Sequence, residues 1–151
     1  MINIQRFEAV EIQVPNGSVA TRFYFPDLPN LRNAEITALE VYTTNNIGCS
    51  PLTGQTVVAT ADLIKSFLTI YQGDLQLVYN IPLARLNEIN NTTTNNNVFQ
   101  LPKVSNMTVS WVKSFVQLFT TLGTTNVVYC FGVYYKFAND GNNMSNVTNN
   151  S

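Results

Sequence analysis

The chain has 151 residues, 45% of them hydrophobic and 11% charged, with a formal net charge of -1 and no histidine. That length fits one ordinary domain, which buries roughly 70% of its unfolded surface and needs no metal or disulfide staple to fold. The near-neutral balance, with Arg6, Arg22, Arg32, Lys65, Arg85, Lys103, Lys113 and Lys136 scattered singly, leaves no basic patch to attract nucleic acid or an anionic membrane.

Most apolar stretches repeat every second residue, which is the strand signal. From Phe7 to Val14, Val10, Ile12 and Val14 share a face, with Glu11 and Gln13 between them. Pro15-Asn16-Gly17 reads as a turn, and Ala20 to Phe25 as a second strand. The prolines of Pro26-Asp27-Leu28-Pro29-Asn30 stop it by removing ladder donors. Ile36 to Thr43 is a third strand, with Leu39 and Val41 on the face opposite Glu40 and Tyr42. A loop follows, and Gln55 to Thr60 reads as a fourth strand. Ala61 to Phe67 leaves helix and strand open: Asp62 suits a helix cap, whereas Phe67 to Tyr71 favours a strand. Gln72-Gly73-Asp74 predicts a hairpin turn into Leu75–Tyr79, with Ile81–Leu83 extended and Ala84–Leu86 leading into a polar loop.

That loop contains Asn90 to Asn97, all Asn and Thr, and reads as an exposed tip or as a contact arm that orders on assembly. Structure resumes at Val98–Leu101. In Thr108 to Thr120, Trp111, Phe115 and Phe119 have helical spacing, but the β-branched and aromatic content favours a strand. The last strand is the clearest. Val127, Tyr129, Phe131, Val133, Tyr135 and Phe137 lie on one face, with Val128, Cys130, Gly132, Tyr134 and Lys136 on the other. Apolar on both faces, it is expected at the centre of a sheet and covered on both sides. Residues 1–137 thus form one all-β domain of about eight strands, a two-sheet sandwich with a jelly roll preferred, and 138–151 a polar, mobile tail. The single Trp111 has no flanking cysteine pair of the immunoglobulin kind.

The chemistry-bearing residues are few. Without histidine there is no Ser-His-Asp or Cys-His triad and no histidine-containing zinc site. Lys65-Ser66 and Lys113-Ser114 are sequence neighbours, which strands point to opposite faces. The acids show no spacing that pairs two across a cleft, and Asp62 and Asp74 read more simply as a cap and a turn residue. No phosphate-binding glycine loop occurs. The sequence therefore predicts no enzyme, no catalytic residue, no metal and no cofactor. Cys49 and Cys130 are expected as buried free thiols, with a disulfide between them left open. No apolar run reaches signal-peptide or membrane-span length, so folding in a cytoplasm is expected.

Charged residues are less than half the usual share of about 25%, so Asn, Thr, Ser and Gln keep the surface polar. Asn alone is about one residue in seven. Either an AT-rich genome or a surface destined for a hydrogen-bonded interface accounts for this. The stretch Arg22-Phe23-Tyr24-Phe25-Pro26-Asp27-Leu28-Pro29-Asn30-Leu31-Arg32-Asn33, followed by Ile36 to Tyr42, resembles small virion structural proteins of AT-rich bacteriophages over the first third of the chain. The resemblance implies a capsid vertex, minor capsid or decoration subunit, assembled in a host cytoplasm from copies of itself and other virion proteins. The expected contacts are Asn91, Thr93, Asn95 and Asn97 in the polar loop, and Tyr134 and Tyr135 on the last strand. The alternative is a carbohydrate- or host-surface-binding module such as a fibre tip, for which exposed Tyr beside Asn and Thr is a usable surface.

Overall fold

The longest alternating run becomes the longest strand, and the other strands are arranged around it. The computed structural model describes residues 6–15, 18, 20–43, 55–87, 99–100, 108–119 and 126–137. Among them are nine strands: β1 (Arg6–Val14), β2 (Arg22–Tyr24), β3 (Ala34–Tyr42), β4 (Gln55–Val57), β5 (Ser66–Gln72), β6 (Leu75–Pro82), β7 (Phe99–Gln100), β8 (Val109–Leu118) and β9 (Asn126–Phe137). Along one edge β9 pairs antiparallel with β1, from Arg6 opposite Tyr135 to Val14 opposite Val127. Its other edge takes β3 along most of its length, then the short β4 in parallel, and β7 adds to the far side of β3. The second sheet is antiparallel, in the order β2-β8-β5-β6. The two four-strand paths pack together as a β-sandwich, the two-sheet architecture expected from the sequence.

The core lies between the sheets. Val10, Ile12 and Val14 of β1, Leu39 and Val41 of β3, and Val127, Tyr129, Phe131 and Val133 of β9 meet Leu68, Ile70, Trp111 and Val116 of the second sheet. Phe25 ties the layers together, its ring 5.1 Å from Trp111 and 5.0 Å from Phe131. Each such pair adds roughly 0.5–1.5 kcal/mol beyond area burial. The opposition of Leu39 and Val41 to Glu40 and Tyr42 holds, but a register shift between Ile36 and Ala38 lets Ile36 share the core face with Leu39.

Segment 108–119 is a strand, and its mixed periodicity has a structural cause. Trp111 is buried, Val112 and Lys113 are exposed, and Ser114, Val116 and Leu118 are buried, so the strand changes phase in between. The Ser114 hydroxyl stitches the irregularity, donating to the Ser110 carbonyl (2.8 Å) and accepting from the Tyr71 amide (3.0 Å).

Other expectations need correction. The strand read as Ala20 to Phe25 is only Arg22–Tyr24, although Leu118 N–H donates to the Thr21 carbonyl (2.8 Å) and Phe25 N–H to that of Ser114 (3.0 Å). The open boundary at 61–67 resolves into a 3-10 helix, Thr60–Lys65, followed directly by β5. Asp62 does not cap it: Ala59 is the N-cap and Asp62 accepts from Lys65 Nζ at 3.3 Å. Leu83, read as extended, and Ala84–Leu86, read as leading into a loop, form the 3-10 helix Leu83–Leu86, whose two leucines are fully buried. A third such helix, Pro29–Leu31, buries Leu31. These turns are too short to show periodicity. Gly73, at φ 62°, makes the β5–β6 turn in the left-handed region that glycine favours. The polar stretch 90–97 and the tail 138–151 lie outside the described residues.

The cysteine expectation is also overturned. Cys130 is disulfide-bonded, and the chain's only other cysteine is Cys49. Cys130 points away from the main core into a small cluster with Val57, Val128 and Tyr42. Sequence separation gave no sign that this outer site lay within bonding reach of a second thiol.

The buried links generate two predictions. Tyr129 and Ser66 share a 2.6 Å hydroxyl–hydroxyl bond between the sheets, and the Ser66 hydroxyl also donates to the Asp62 carbonyl. Burial pushes the Tyr129 phenol well above its ordinary pKa, against the opposing effect of the Ser66 bond. Ser66→Ala strands a buried phenol and should destabilise by about 1–3 kcal/mol, whereas Tyr129→Phe leaves Ser66 partnered and should cost about 1 kcal/mol. Urea titration reads both, and the reverse ranking would refute the assignment. Cys49→Ser should lower stability by about 2–5 kcal/mol, the range for a bond closing a long loop. An unchanged thermal midpoint would show that the bond contributes nothing.

Candidate functional site

The sandwich presents two different outer faces. On the first sheet, β9 carries Tyr134 outward and Tyr135 inward, so the adjacent tyrosines serve opposite sides. Tyr135 packs against the core and lies edge-on to Phe137 at 5.5 Å. Tyr134 stacks edge-on against Phe7 at 5.3 Å, and its hydroxyl donates to Glu40 Oε1 at 2.9 Å. The Tyr42 hydroxyl donates to the same oxygen. Glu40 is only 8% exposed, and two phenol donors on one carboxylate oxygen compensate for that burial. Gly132 is the floor of this cluster. Both proposed tyrosine contacts are thus half-buried and engaged within the chain, while Asn91, Thr93, Asn95 and Asn97 lie outside the described residues.

On the second sheet the register builds an aromatic outer surface. Tyr24 pairs with Phe115, which pairs with Thr69; in the next row Arg22 pairs with Gln117, which pairs with Phe67. Tyr24 lies edge-on to Phe115 at 5.5 Å, and Phe67 to Phe119 at 5.2 Å. The Arg22 guanidinium sits 4.5 Å above the Phe115 ring. Of the exposed large hydrophobics, Tyr24, Leu75, Tyr79, Val112 and Phe119 belong to this sheet or immediately follow it, whereas Phe7 lies on the first sheet and Ile64 in the 3-10 helix before β5. Between the edge strands β1 and β2 runs a cleft of about 460 Å3, lined by Glu11, Gln13, Arg22, Phe23, Tyr24 and Pro26 among others. Tyr24 and Phe115 stood in separate segments of the sequence, and only strand pairing makes them neighbours.

The two lysine–serine pairs are engaged within the chain. Lys65 pairs with Asp62 and Lys113 with Asp74, while Ser66 and Ser114 make the internal bonds described above. Among the described residues no group of three or more Cys, Asp and Glu side chains stands ready to hold a metal. No helix among them is long and apolar enough to cross a membrane.

A methyl group on Gly132 would lie 2.7 Å from the Tyr42 hydroxyl, 2.8 Å from Phe7 Cε2 and 2.9 Å from Glu40 Cγ. Gly132→Ala should therefore destabilise by about 1–3 kcal/mol despite the better strand propensity of alanine. A neutral or stabilising result in urea would mean that the Tyr-Glu-Tyr cluster is not packed as described. Comparison with protein-family models, with curated proteins and with solved structures finds no match, so the surface must be read from its own chemistry.

Proposed function

We propose that this chain is a virion structural subunit with a jelly-roll fold, acting by assembly with copies of itself and with other shell proteins rather than by catalysis. The pairing of its strands carries the reading. Leaving aside the short parallel β4, eight strands pair as one long hairpin folded on itself. The first pairs with the last (β1–β9), the second with the seventh (β2–β8), the third with the sixth (β3–β7), and the middle two together (β5–β6). Successive pairs alternate between the sheets. This nesting suits a jelly roll, an architecture that recurs in viral capsid and lectin domains.

Two further features support it. Most of the exposed large apolar side chains lie on or next to the second sheet, with Phe7 and Ile64 elsewhere, which favours a neighbour covering that sheet. The disulfide at Cys130 suits a protein that persists in an oxidising exterior, as virion surfaces do. A carbohydrate- or host-surface-binding module is the second reading, favoured by the polar and aromatic lining of the β1–β2 cleft.

Light scattering after size exclusion tests the assembly reading. The expected result is a discrete oligomer of the purified chain. A monomer at every concentration would contradict self-assembly.

A further inference from the structure

We infer that the corner of the sandwich between β1 and β2 is the surface through which a second copy of this chain binds. The inference rests on the assembly reading above and gives it an address. Glu11 and Arg22 line the same cleft from different strands, and neither forms an ion pair among the described residues. A cleft holding one acid and one base, each without an ion-pair partner among the described residues, is complementary to itself. Across a twofold axis, the Arg22 of each copy faces the Glu11 of the other.

The surroundings have the anatomy of a contact. Tyr24, 51% exposed, provides an apolar centre beside the cleft, with Phe119, 62% exposed, on the same sheet's outer surface. Gln13 and the two charges form a polar rim. Tyr and Arg are the residue types that most often dominate binding energy at such centres. Stacking on Phe115 holds the Arg22 guanidinium in place, which suits a planar, two-point contact with a carboxylate. The contact is made by side chains and not by a strand joining the β1 edge. Glu8, on the same strand face as Val10 and Ile12, has Oε2 buried without a hydrogen-bond partner, and a charge turned inward on an edge strand discourages sheet extension.

Charge exchange tests the pairing, with circular dichroism and thermal melts to verify folding. Glu11→Arg is the primary variant because Glu11 has no ion-pair partner among the described residues to lose, and Arg22→Glu is its counterpart. Each alone should weaken self-association at least about tenfold and halve the mass seen by light scattering. The double exchange should restore both. Wild-type mass in both single variants would overturn the inference while leaving assembly intact. A wild-type protein that is monomeric throughout would overturn the inference and self-assembly together. A monomer that binds a glycan array, and loses that binding on Tyr24→Ala, would assign the cleft to a saccharide instead.

Discussion

Both faces of β9 are apolar over most of its twelve residues, and neither can be left to water. Its inner face supplies Val127, Tyr129, Phe131 and Val133 and forces a second sheet to lie across it. Its outer face puts Val128 and Cys130 beneath a separate small cluster, and at Gly132 it gives up the space of a side chain to Tyr42, Phe7 and Glu40. Both of its edges are paired, by β1 on one side and by β3 with β4 on the other. The amino-terminal strand β1 lies at the edge of this sheet, and among the described residues its strand partner is β9.

The second sheet has no comparable centre. Its inward rows complete the core through Leu68, Ile70, Trp111 and Val116, and the Ser66–Tyr129 bond fixes it to β9. Its outer surface is aromatic where that of the first sheet is organised around the buried Glu40 carboxylate. The asymmetry links packing to the proposed role: one outer face satisfies its own polar groups internally, and the other leaves apolar area for a neighbour. The low charge of the chain is consistent with such division, because few residues enforce solvation of the aromatic side.

Strand identity was legible wherever one residue in two is apolar. β9, β1 and β3 follow directly from that rule, including the placing of Leu39 and Val41 on the face opposite Glu40 and Tyr42. β8 was legible as a strand from its composition, but its change of phase between Trp111 and Ser114 was not, since an irregularity imitates helical spacing. The 3-10 turns escaped because three to six residues carry no period. The contact surface was least legible. Tyr134 was singled out for its type, yet Glu40, ninety-four positions earlier, occupies its hydroxyl. Tyr24 and Phe115 gave no signal because their proximity depends on long-range register, which a single sequence does not encode in any local pattern.

The dependence of the fold on β9 can be measured directly by native-state hydrogen exchange. The amides of Val127 to Tyr134 should exchange only through global unfolding, with the same free energy as denaturant-induced unfolding, while those of β2 and β6 open at lower free energy. If amides of β5 and β8 stay protected under conditions where those of β9 have already exchanged, the second sheet is the stable unit and β9 does not organise the fold.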